Sequence, residues 1–289
     1  MTIKEIQKQL PELKNIIQLK VGGQKFVYKA DYQNNEVVLK LVRITDADDN
    51  NVLEDAGLNR ILREVKIINT INSIYLPKGN SGIDPGRLTS RNGVYYYYVE
   101  DYIHGRTVRE IIRDNSIEDK NQFIFELLKD VCRGINELWK RGYVHRDIKP
   151  ENIMYNESSN NFVLIDSGIA YATCETSLTP TGMSVGTLPY MSPEQLKATR
   201  CRDVRTDIYS LGIVAYEIAH GQHPYFTRNM DQTELFKKII MYVPPELDSQ
   251  TVGVDDKILV IINKMIKKRA HQRYKDVDSL LADIKNIKA

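Results

Sequence analysis

The chain has 289 residues, 42% of them apolar and 27% charged, enough to bury a full core in one or two domains and too apolar for wholesale disorder. A formal net charge of +2 makes no electrostatic case for a nucleic-acid binder. Three widely spaced cysteines, Cys132, Cys174 and Cys201, fit neither a disulfide framework nor a zinc site, and without a secretory signal or an apolar run near ~18 residues the chain reads as cytoplasmic with no membrane span.

The first third alternates short β-like runs with turns. IIQLK, KFVYKA and EVVLKLV, separated by Gly22-Gly23 and Gln33-Asn34-Asn35, predict an antiparallel meander. The acidic stretch TDADDNNVLEDAG reads as a solvated loop. LNRILREVKIINTI follows, with Ile61, Leu62, Val65, Ile68 and Ile71 expected on one helical face. KGNSGIDPGRLTSRNG reads as a turn-rich loop before the β run VYYYYV. From Thr107 onward helical periodicity dominates. FIFELLKDVCRGINELWKRG is one amphipathic helix ending at Gly142, and further helices are expected around 207–220, 232–241 and 257–268. The pattern is α+β, with an N-terminal extension over 1–14, a small antiparallel β-rich lobe with one key helix over 15–102, and a larger, mainly helical lobe over 103–289.

Two stretches carry polar residues that packing does not explain. YVHRDIKPENIMY crowds Asp147, Lys149 and Asn152 into a short loop beside apolar Val144, Ile148 and Ile153. FVLIDSGIA runs Phe162 to Ile165 as a buried strand straight into Asp166. Taken alone, that carboxylate has two readings, a cap for the next segment or the holder of a cation. In chain order, however, H-R-D-x-K-x-x-N, then D-x-G, then S-P-E resemble the signature of the protein kinases. The resemblance runs from about residue 15 to the end and is nearest to the eukaryotic-like serine/threonine kinases of bacteria. It implies a bilobal protein-kinase-like fold.

The resemblance also implies roles. Asp147 would take the proton of the attacking hydroxyl, and Lys149 would balance charge on the γ-phosphate of ATP. Asn152 and Asp166 would be oxygen ligands of Mg²⁺. Lys40 would hold the α- and β-phosphates and pair with Glu64. Leu19, Val27 and Val38 would form the ceiling of an adenine slot and Met154 its floor, while the backbone of Asp101 and Ile103 would meet the adenine edge. Gly22 and Gly23 are what remains of the phosphate-covering loop. Thr187 would shape the acceptor site, Glu194 would pair with Arg273, and Asp207 would brace the catalytic loop. Arg146 invites a phosphate from the activation segment, where Thr179 and Thr181 are either autophosphorylated or plain loop threonines. The expected partners are proteins phosphorylated on Ser or Thr, with a transient homodimer for autophosphorylation.

The family pattern is broken at four places, the first of them the glycine loop. Lys20 and Lys25 stand at two positions of the glycine loop, which reads KVGGQKFV, and Val38 replaces the usual alanine. Ser167 replaces the aromatic after Asp166. Glu100 stands just before the hinge, where a buried carboxylate is costly unless paired. Either Glu100 reaches Lys40 or a neighbouring polar group, in competition with Glu64, or a one-residue slip puts Val99 there. An active kinase is the first reading. The alternatives are a pseudokinase scaffold and a small-molecule phosphotransferase of related fold. The end of the sequence fits either a stand-alone kinase or a fragment of something larger.

Overall fold

Period-two alternation in the first β runs sorts their side chains onto two faces, and each face meets a helix. The computed structural model describes residues 1–22, 25–45, 55–79, 82–166, 188–197, 203–227 and 229–287, with side chains at all of these except 20–22, 45, 55–60, 63 and 64. It divides into two units, Met1–His104 and Gly105–Ala289.

In the first unit, α1 (Ile3–Gln9) opens on a capping box, Thr2 with Glu5. The strands β1 (Lys14–Gly22), β2 (Lys25–Tyr32) and β3 (Asn35–Thr45) precede α2 (Asp55–Thr70), β4 (Gly86–Ser90) and β5 (Gly93–Asp101). They form one antiparallel sheet in the order β1-β2-β3-β5-β4. One face buries Tyr28, Ala30, Val37, Leu39, Leu41 and Val99 together with Ile6, Leu10 and Leu13. Residues 1–14 thus contribute to this core. The opposite face buries Ile44 and Tyr98 against Ile61, Val65 and Ile68 of α2.

Two expectations change here. The stretch read as a loop contains β4, whose Ser90 pairs with Gly93 across a two-residue turn. Leu88 is its only fully buried residue, so the hydrophobic signal was a single position among turn formers. Leu62 is 41% exposed while Ile67 is buried. At about 100° per residue Leu62 points a quarter-turn away from Ile61, off the stripe that faces the sheet.

The second unit begins with β6 (Gly105–Thr107), α3 (Val108–Arg113) and α4 (Lys120–Trp139), followed by β7 (Ile153–Asn156) and β8 (Asn161–Leu164). The three strands form an antiparallel sheet. Gly105 has φ +153°, and a Cβ there would lie 1.8 Å from the Tyr155 carbonyl oxygen, so β6 can approach β7 only with glycine. Beyond lie α5 (Pro193–Leu196), α6 (Arg205–His220), α7 (Gln232–Met241), α8 (Ser249–Val252), α9 (Asp256–Met265) and α10 (Val277–Lys285). Helix α6 is buried from Thr206 to Ala219, as its apolar run on all sides demands. Gly212 lets α9 approach: an added Cβ would meet Met265 Cβ at 2.7 Å. Among the described residues no helix is long and apolar enough to cross a membrane.

Candidate functional site

The loop after α4 is shaped by a buried carboxylate. Asp207, in the first turn of α6, accepts the backbone N–H of His145 through Oδ2 and that of Arg146 through Oδ1, both at 2.8 Å. Burial pushes the Asp207 carboxyl up to about 6, against the pull of those two N–H groups and of the Arg146 charge. The clamp holds Arg146 at φ +66°, a region that a side chain adopts only when its surroundings impose it.

Asp147 follows immediately. Its carboxylate receives Lys149 Nζ at 3.0 and 2.9 Å and Asn152 Nδ2 at 2.8 Å. The same Nδ2 donates to the Asp147 carbonyl at 2.9 Å. Both amide hydrogens of Asn152 therefore point at Asp147, which turns Oδ1, its acceptor end, the other way.

The end of β8 is tied to this loop at two points. Ile165 donates its N–H to the Asn152 carbonyl at 2.9 Å, and its own carbonyl lies 3.2 Å from His145 Nε2. Asp166, the next residue, has φ +53°, which aspartate tolerates better than most residues. A strand, two hydrogen bonds and a left-handed turn thus fix the backbone that carries Asp166. Ser167, Thr179, Thr181 and Thr187 lie outside the described residues, as does Gly23.

In the first unit, Lys40 is 4% exposed and its Nζ lies 2.6 Å from Glu100 Oε2, a carboxylate equally buried. The β3–β5 register sets Lys40 opposite Tyr98 and Val38 opposite Glu100, so Lys40 and Glu100 are diagonal neighbours on one face. Val99 points to the other face, into the core. Glu100, and not Val99, therefore stands on the face of Lys40. Glu64 lies on α2, the helix over this same face, but its side chain is not among those described.

Val27 and Val38 are half-buried, as is Met154 on β7, whereas Leu19 is 49% exposed. Gly22 closes β1 opposite Lys25. The N–H of Asp101 is taken by the Lys78 carbonyl at 2.9 Å. Ile103 is half-buried in the segment that follows β5.

Glu194 and Arg273 form a bidentate pair at 2.6 and 2.9 Å, with the arginine side chain wholly buried. One cluster had no sequence signal. Arg109 of α3 reaches Glu151 at 2.8 Å, Glu217 at 2.9 Å and the Tyr190 hydroxyl, and Tyr190 donates to Glu217 at 2.5 Å. Its members come from four separate segments, which no local pattern links. His223 packs edge-on against Tyr190, and its Nδ1 accepts the N–H of Tyr225 and of Phe226.

A sequence model described as the protein kinase domain matches residues 18–283. A probable serine/threonine-protein kinase of Clostridium acetobutylicum is 31% identical over 278 residues, 93% of this chain and 38% of the relative. A similar probable kinase of Clostridium perfringens is 31% identical over 92% of this chain and 37% of its own length. The serine/threonine-protein kinase PknB of Mycobacterium leprae is 33% identical over 70% of this chain and 32% of its own length. The chain thus spans between about a third and two fifths of the length of these curated relatives.

Proposed function

The chain belongs to the protein kinase domain family, and from that premise we propose that it is a serine/threonine protein kinase, transferring the γ-phosphoryl group of MgATP to hydroxyls of protein substrates. The observation that carries this reading is the Asp147 carboxylate held between Lys149 and Asn152. Phosphoryl transfer asks the protein mainly for positioning and for charge opposite the phosphoryl oxygens. Asp147 accepts a hydrogen bond from the acceptor hydroxyl and takes its proton. Lys149, held at 2.9 Å from that carboxylate, supplies a positive charge for the transferring group. Lys40 is the cation for the remaining phosphates, and Glu64, on α2, is assigned as its partner.

The donor set suits a hard cation. Oδ1 of Asn152, turned away from Asp147, and the carboxylate of Asp166 are both oxygen ligands of the kind Mg²⁺ prefers. When bound, the ion supplies neutralisation of phosphate charge. Arg146, Thr179 and Thr181 are assigned a regulatory role, the threonines as acceptors in a transient homodimer and the arginine as the partner of the phosphate they would carry. Relatives with serine/threonine kinase names support the choice of acceptor.

The test is to incubate the purified chain with MgATP and a general acceptor protein and to map phosphate by mass spectrometry. Transfer to Ser or Thr is expected in the wild type, with a loss of at least ~100-fold in Asp147→Asn and no phosphate on Thr179 or Thr181 in Lys40→Met. Equal transfer by the wild type and Asp147→Asn refutes the assignment. Absence of transfer in the wild type, with nucleotide still bound, replaces the kinase with a scaffold.

A further inference from the structure

We propose that Glu100 is a positioning residue for Lys40: its buried carboxylate keeps the Lys40 ammonium charged and aimed. This rests on the reading of Lys40 as the phosphate-gripping lysine. A lysine 4% exposed is under strong pressure to lose its proton, because burial disfavours the charged form. A neutral amine cannot balance phosphate charge. The compensating anion is Glu100 at 2.6 Å.

The geometry favours a fixed partner. Both residues stand on neighbouring strands of one sheet, so their separation is set by the β3–β5 ladder and not by a loop. Glu100 is held on its other flank too. It bridges to Gly79, and the next residue, Asp101, donates to the Lys78 carbonyl. Gly79 in turn donates its N–H to Ile68 of α2 at 3.0 Å. A Cβ on Gly79 would lie 1.8 Å from Asn69 Oδ1, so a larger residue in this strap would require the Asn69 side chain to move. Strand β3, the strap and the end of α2 together fix the backbone of the residue that holds Lys40.

Other charged and titratable groups around the pair sharpen the need for it. Lys40 Nζ lies 5.7 Å from the Tyr98 ring, and Lys25 of β2 lies 5.8 Å from the same ring. A second cation near Lys40 raises the cost of charging it. Lys29 of β2 is engaged with Glu36, Tyr96 lies farther along β5, and α2, the helix over this face, carries Glu64 in its sequence. Glu100 is the carboxylate placed there by the sheet itself.

The experiment reads Lys40 directly. Pulse acylation of the purified chain over a pH series, quantified at Lys40 by mass spectrometry, reports its protonation with no kinase turnover. The labelling midpoint is expected to move down by about 1–3 pH units in Glu100→Gln, the shift typical of losing one nearby opposite charge. Glu100→Asp, which restores the charge, is expected to recover most of it. The alkaline limb of phosphoryl transfer should shift by the same amount. An unmoved labelling midpoint overturns the proposal. So does faster transfer at neutral pH in Glu100→Gln, which would make the carboxylate a restraint on Lys40. A shifted midpoint in a wild type that transfers no phosphate upholds the charge coupling and removes the kinase reading.

Discussion

Replacing Arg273 with methionine should destabilise the second unit more than any other single change to an ion pair there. Arginine has five N–H donors, and each one is used. Nε donates to the Lys267 carbonyl at 2.7 Å, Nη1 to Glu194 at 2.6 Å and to the Arg205 carbonyl at 2.9 Å, and Nη2 to Glu194 at 2.9 Å and to the Lys268 carbonyl at 3.0 Å. The guanidinium also stacks 4.6 Å from the Tyr209 ring. Methionine refills the volume but leaves Glu194, 14% exposed, without its cation. Removing one member of such a pair costs about 3–5 kcal/mol. Each kcal/mol shifts the midpoint of a unit this size by about 2–4 °C, so a fall of roughly 6–20 °C is expected in calorimetry or thermal circular dichroism. Arg273→Lys offers at most three donors and should recover less than half of the loss. A cycle with Glu194→Gln then isolates the pair from the carbonyl bonds. A shift under about 2 °C, or a coupling below about 0.5 kcal/mol, would refute the view that this arginine locks residues 188–197 to the end of the chain.

Two titrations follow from buried groups, and they have opposite signs. Asp207 has its folded pKa raised to about 6 from 3.8. Between those values the folded chain holds a proton that the unfolded chain has lost, so this group adds about 3 kcal/mol of stability as pH falls through that window; denaturant midpoints measured against pH should lose that rise in Asp207→Asn, and parallel curves would refute it. His223 has its folded pKa lowered to about 3 from 6.5, chiefly by burial and then by the Arg109 charge. Its contribution is complete above pH 6.5 and about 5 kcal/mol is lost as pH falls towards 3. His223→Asn, which keeps an acceptor for Tyr225 and Phe226, should flatten that acid limb, and an unchanged slope would refute the assignment.

The parts of the fold legible in the sequence are those whose physics is local. The first three strands announce themselves by alternation, and α4 and α6 by long apolar periodicity. The capping box of α1, Thr2 with Glu5, is equally local and stands in the sequence as T-x-x-E. Strand β4 was hidden because one buried leucine among glycines and a proline gives no period. The loop of Asp147 was legible because Asp147, Lys149 and Asn152 lie within six residues and bond to one another. Glu100 could be flagged, though not placed, since a carboxylate in an apolar run is costly wherever it points. The Arg109 cluster could not be found at all, because Tyr190 and Glu217 are distant from Arg109 along the chain.

The buried pairs Lys40–Glu100 and Arg273–Glu194 use different cations, and the difference fits what each must do. Arg273 spends its planar fork on a carboxylate and three backbone carbonyls, a set that no other group could satisfy in turn, so the pair can only be held or broken. Lys40 is a compact charge on a flexible stem with three rotatable donors, and it meets Glu100 at a single point. An arginine at position 40 would tend to bind Glu100 through two parallel bonds and would compete with phosphate for the same donors. On this argument the sheet supplies a carboxylate that keeps the lysine charged, while the lysine's single-point chemistry lets its donors be redirected from one anion to another. A Lys40→Arg chain should therefore retain the buried pair and its thermal stability while losing phosphoryl transfer, and loss of both together would show that the pair serves the core alone.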